Sequence, residues 1–143
     1  YLQFAAGRRL KAPGNPDHVV VVEIESWNRV ARSRFCRFFL DVQHFTRRIE
    51  LLAAKLGVPT PSMFLSNART RWGSCNSRGE IRLHWRLIQA PPHIIHYVIA
   101  HELAHLKEMN HSPKFWAWVE KLCPDYSTAR QELKALSAQL HLV

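Results

Sequence analysis

His101-Glu102-Leu103-Ala104-His105 is the stretch on which the reading of this chain turns. It lies inside an apolar, helix-periodic segment that opens at Ala90-Pro91-Pro92. Proline suits a first helical turn because its missing N–H would have no intrahelical partner there. A helix is therefore expected from residue 91 to about residue 108. Four residues of helix advance about 400°, leaving the two imidazoles about 40° apart and roughly 6 Å apart along the axis. Both can reach one ion. Ile95, Ile99, Leu103 and Leu106 recur on the opposite stripe, which is expected to be buried and to leave His101 and His105 facing a cleft.

Neutral imidazole is a good zinc ligand, and a catalytic zinc uses three protein ligands with a fourth position open. His111, six residues beyond His105, is the expected third ligand, provided that the helix ends near Met109-Asn110 and the chain folds back. Asn110 suits such an end, since Asn tolerates the left-handed conformation that terminates many helices. The three histidines have the spacing of H-E-x-x-H-x-x-G-x-x-H, with Glu108 at the Gly position, so the turn is expected to differ in detail. Glu102 lies on a face about 100° from His101, where it can approach a water without ligating the metal. It is the candidate general base, and one Zn2+ per chain is the expected cofactor. By helical phase His96 points about 140° away from His101, so neither it nor His93 is expected to bind this metal.

Outward from the motif, residues 80–87 alternate apolar and polar without a slip. Ile81, Leu83, Trp85 and Leu87 are expected to face a core, with Arg82, His84 and Arg86 outward. Asn76-Ser77-Arg78-Gly79 has turn composition, and residues 62–68 and 70–75 suggest short strands, so an antiparallel hairpin over about 69–88 is the economical assignment. Residues 1–18 read as an irregular lead-in and 19–25 as a strand. Residues 28–56 carry apolar positions at helical spacing, stopped by Gly57 and Pro59. Ser112-Pro113 opens a further helix that Cys123-Pro124 ends, and a last helix covers about 127–140. The expected architecture is α+β: a small antiparallel sheet packed against helices, with residues 1–143 as one domain.

The formal charge is +9, with 20 Lys and Arg against 11 Asp and Glu, so the chain would attract nucleic acid or other anions without choosing among them. A solvated basic surface explains the same numbers. No apolar run is long enough to span a bilayer. Cys36, Cys75 and Cys123 are odd in number and form no C-x-x-C pair, which argues against a disulfide scaffold or a cysteine zinc knuckle and favours a reducing cytoplasm.

Arg71-Trp72-Gly73-Ser74-Cys75, Trp85-Arg86-Leu87, Ala90-Pro91, the H-E-x-x-H stretch, Asn110-His111-Ser112 and Phe115-Trp116 together resemble the YgjP-like metallopeptidases, relatives of the SprT-like zincins. The resemblance runs from about residue 51 to the C-terminus. It implies a compact zincin fold, zinc at His101, His105 and His111, and a protein or peptide substrate. It also implies that residues 1–25 are the remnant of a longer, β-rich N-terminal region. Three further residues are candidate contacts: Tyr126, as a phenol that could steady an oxyanion, and Arg71 and His84, on a hairpin that could form a wall of the cleft. Solvated strand residues and an ordinary helix-start aromatic are the plain alternatives for these three. Two rival functions remain at this point. One is a DNA-stimulated SprT-like protease acting on DNA-bound proteins, and the other is a non-catalytic binding module that zinc merely stabilises.

Overall fold

Backbone hydrogen bonding and apolar periodicity sort the chain into one sheet and four helices in the computed structural model, which describes residues 8–11, 19–22 and 35–140. In chain order the elements are β1 (Arg8–Lys11), β2 (Val19–Val22), α1 (Phe35–Leu56), β3 (Met63–Ser66), β4 (Gly73–Cys75), β5 (Ile81–His84), α2 (Pro92–Ala104), α3 (Pro113–Leu122) and α4 (Tyr126–Leu140). The α+β class is as expected. The strand order is β1-β2-β3-β5-β4.

The β4–β5 hairpin is antiparallel, closed by Gly79 at φ 77° and by the Asn76 side chain, which accepts from the Arg78 and Glu80 N–H groups at 3.0 Å. The expectation of an all-antiparallel sheet is corrected, because β3 pairs in parallel with both β2 and β5. With β4 already on one side of β5, β3 takes the other side in the same direction as β5. Residues 8–11, expected to be irregular, form β1 against β2. Pairing with a neighbour supplies what the propensity of Arg8-Arg9-Leu10-Lys11 does not announce. The rest of the lead-in, and residues 28–34 of the predicted first helix, lie outside the described residues.

A second correction concerns the strand predicted over 80–87. It stops at His84, and Trp85–Gln89 turns into a 3-10 helix. His84 causes the stop: its Nδ1 accepts from the Arg86 N–H at 3.0 Å, capping the turn in place of a strand hydrogen bond. The predicted alternation fails there, since His84 is buried at 3% exposure whereas Trp85 is not.

Helix α1 buries Val42, Phe45, Ile49, Leu52 and Leu56 on one stripe. It ends where Gly57, at φ 74°, allows its own N–H and that of Val58 to reach back to the carbonyls of Ala54 and Ala53. Helix α2 is buried on nearly every side, packed between α1, α3, α4 and β4. The single buried stripe expected for it is thus only part of what it buries. No helix among the described residues is long and apolar enough to cross a membrane.

Candidate metal centre

The centre is built where α2 runs out. The helix ends at Ala104, earlier than expected, and His105 follows with φ −64° and ψ −19°. The Leu106 N–H reaches Leu103 and those of Lys107 and Glu108 reach Ala104, all at 3.0 Å, so the chain tightens into a turn of helical hand. No described non-glycine residue has positive φ. The left-handed Asn110 expected at the helix end is therefore not found, and Glu108 meets no conformational penalty at the position where related spacings carry glycine. Ser112 then caps α3 by accepting from the Phe115 N–H at 3.4 Å, which leaves His111 in the bend between the two helices.

That path brings His101, His105 and His111 together, each with a ring nitrogen within 4.8 Å of the others'. The Nε2 atoms of His101 and His111 approach to 3.2 Å. Their ring centroids are 5.2 Å apart, as are those of His101 and His105. Phe115 is fully buried and sets its ring 4.5 to 4.9 Å from all three imidazoles, an apolar floor that fixes their spacing. Trp116 closes one side, 5.8 Å from His101 and 6.1 Å from His111.

The protonation states suit a cation. Burial, with the neighbouring His105, His111 and Arg130, pushes His101 down to about 4, and burial also lowers His105. Both are neutral imidazoles at physiological pH. The Nδ1 of His105 lies 3.2 Å from the Glu108 carbonyl, an acceptor only, so Nδ1 carries the proton and Nε2 keeps its lone pair. The Tyr97 hydroxyl lies 3.4 Å from His101 Nδ1 and can accept from it, which leaves the lone pair on Nε2. Three imidazole nitrogens at this spacing fit a zinc ion with a position left open.

Glu102 sits on the next face of α2, only 6% exposed, and none of the described residues hydrogen-bonds its carboxylate. Burial pushes its pKa up to about 8, against the pull of the Arg71 guanidinium. It rests on β4: a Cβ added to Gly73 would meet Glu102 Oε1 at 2.8 Å.

The other candidates are placed less directly. Arg71 is exposed at the approach to β4 and acts on Glu102 through its charge. Tyr126 starts α4 and stacks on Trp116 at 5.3 Å, with Trp116 standing next to the histidines. His84 is buried between Trp72 and Trp85, 5.6 and 6.0 Å away, instead of facing outward. Cys75 holds its thiol against the Asn76 carbonyl and is pushed up to about 11 by burial, with the Glu102 charge adding to the effect, so it stays a neutral thiol. His93 pairs with Glu132, and His96 bonds Arg48 and the Leu122 carbonyl, both apart from the centre. Sequence reasoning missed Tyr97, although its i, i+4 relation to His101 was a usable signal. It missed Arg130 as well, whose guanidinium lies 4.8 Å over the Trp116 ring.

The chain matches the family described as YgjP-like, metallopeptidase domain, over residues 17–136. Among curated proteins it is similar to the UTP pyrophosphatase of Escherichia coli (strain K12), 24% identical over 132 residues that cover 91% of this chain and 76% of that protein. Among solved structures it is similar to the metallopeptidase zymogen abylysin of Pyrococcus abyssi, with a TM-score of 0.58 and 25% identity over 67% of this chain and 94% of that one. Wss1 from Saccharomyces cerevisiae gives a TM-score of 0.55 at 17% identity, covering 68% of this chain and 83% of that one, a likeness of fold alone.

Proposed function

The chain belongs to the YgjP-like metallopeptidase domain family, and from that premise we propose that it hydrolyses peptide bonds with one zinc ion held by His101, His105 and His111 and with Glu102 as general base. The observation that carries this reading is the convergence of three imidazole nitrogens within 4.8 Å, beside a buried carboxylate that accepts no hydrogen bond from the described residues. A zinc ion bound there supplies Lewis-acid polarisation of the scissile carbonyl and makes a water acidic enough to attack near neutral pH.

The chain's own residues do the rest. Glu102 accepts the proton of the attacking water and returns it to the leaving amine, and the Arg71 charge favours the ionised carboxylate that can accept it. The Glu108 carbonyl holds the His105 ring in the ligating tautomer, and the Tyr97 hydroxyl, accepting from Nδ1, would do so for His101. Phe115 and Trp116 keep bulk water off one side. Among the described residues strand β4 pairs only with β5, and its other edge is where an extended peptide would add. Tyr126 and Arg130 bracket the rim through Trp116. Cys75 and Cys123 are free thiols, in keeping with a cytoplasmic setting.

Elemental analysis and hydrolysis of an unfolded protein substrate, for wild type and Glu102→Gln, test the reading. About one zinc per chain in both proteins, with activity only in wild type, is the expected result. A metal-free chain purified from zinc-replete medium would overturn it.

A second reading has its own support: the curated relative is named a UTP pyrophosphatase, and the exposed Arg71 and Arg130 lie close enough to act by charge on Glu102 and His101. The same histidines and carboxylate would then serve attack on phosphorus, with the arginines holding phosphate oxygens. Incubation with UTP separates the two. Pyrophosphate release with unfolded protein left intact would replace the peptidase reading. Adding DNA at low salt to the protein assay tests the DNA-stimulated version suggested by the +9 charge.

A further inference from the structure

A buried carboxylate is ordinarily located by the hydrogen bonds it accepts. Glu102 accepts none from the described residues, and what locates it among them is packing. The surface it packs on is the backbone of β4. A Cβ built on Gly73 would stand 2.8 Å from Glu102 Oε1, 2.9 Å from Cγ and 3.1 Å from Cδ, where unstrained heavy-atom contacts lie at about 3.5 to 4 Å.

The backbone at Gly73 does not itself ask for glycine. Gly57 and Gly79 are the described glycines with positive φ, and Gly73 is a strand residue paired with Leu83. Alanine there would ordinarily stabilise a strand by restricting the unfolded chain. What excludes a side chain is Glu102. Nor can the strand easily retreat: the Trp72 carbonyl accepts from the His84 N–H at 2.7 Å, and the Trp72 indole donates to Ser137 on α4 at 2.6 Å. Of the two parties, the carboxylate is the one that would move.

We propose that Gly73 is a positioning residue for Glu102: its bare backbone is the wall that sets where the general base stands, and any side chain at that position displaces the carboxylate. The inference rests on the reading of Glu102 as proton acceptor given above. It assigns a role to the glycine of Arg71-Trp72-Gly73-Ser74-Cys75 that needs no contact with metal or substrate.

The test combines kinetics with melting. Zinc-loaded Gly73→Ala is expected to bind as much zinc as wild type and keep its KM, while kcat falls about 10²-fold, the cost of a base misplaced by about 1 Å. Glu102→Ala removes the Cγ, Cδ and Oε1 that the new Cβ would meet, so adding Gly73→Ala to it is expected to cost under about tenfold of the activity that remains. An unchanged kcat in Gly73→Ala, or equal losses in both backgrounds, overturns the proposal. In chelator-treated protein, Gly73→Ala is expected to lower Tm in the wild-type background and not in Glu102→Ala, where nothing remains to collide. Equal lowering in both backgrounds overturns the contact whatever the substrate proves to be. A wild-type chain without hydrolytic activity overturns the reading of Glu102 instead, and these melts tell that failure from a failed Gly73 contact.

Discussion

At the scale of the residue, the carboxyl of Glu102 has a cost that can be measured without any substrate. Burial moves it from an ordinary 4.5 to about 8, although the Arg71 charge opposes the shift. Between those values the metal-free folded chain holds a proton that the unfolded chain has released. The penalty is therefore absent below about pH 4.5, grows as pH rises, and is complete near pH 8. A shift of that size corresponds to at most about 5 kcal/mol. Glu102→Gln never ionises, so its chelator-treated form is expected to melt with wild type at pH 5 and progressively above it toward pH 8. His101, held down at about 4, titrates alike in both proteins and cancels from the difference. Melting curves at pH 5, 6.5 and 8 check this; a difference independent of pH would remove burial as the cause.

At the scale of the element, the bend between α2 and α3 decides whether His111 is a ligand. Ser112 fixes that bend by capping α3 one residue beyond His111. Ser112→Ala is expected to cost about 1 kcal/mol of stability, roughly 3 °C in Tm for a chain of this size. It should also weaken zinc binding in competition with a chromophoric chelator if the cap positions the proposed ligand His111 and not only a helix. A lowered Tm with unchanged zinc affinity would detach the cap from the site. Much of this element was legible in advance: the Ser112-Pro113 start, the 3.6-residue phase that pairs His101 with His105, and the reach back to His111 are all local. The early end of α2 was not, because it depends on the Leu103 and Ala104 carbonyls accepting in a tightened turn. His84 was misplaced for a related reason, since alternation marks a strand's faces but not the side chain that stops it. Gly73 and Tyr97 escaped notice because what matters about them is the neighbour they meet across space or along one helix face.

At the scale of the whole molecule, the question is how far the fold depends on its metal. Two proposed ligands stand at the end of α2 and the third enters from the approach to α3, so zinc would join two helices that already share a core. Ile99, Leu103, Phe115 and Val119 are fully buried in that core without contribution from an ion. Unfolding scatters the three histidines, so zinc held by them would bind the folded chain almost alone and would stabilise it by mass action, about 2.7 kcal/mol at a free concentration of 100 Kd. Removing the metal is accordingly expected to lower Tm by several degrees, in proportion to the logarithm of free zinc, while the chelated chain keeps its helical circular dichroism at 25 °C and regains Tm when zinc returns. A module folded by its metal behaves otherwise, losing its helices outright on chelation. Circular dichroism and melting across a zinc titration distinguish the two, and collapse of the helical signal in chelator at 25 °C would mean that the metal builds the fold. Retention of the signal means that the core preorganises the histidines, as the packing of Phe115 against all three rings requires.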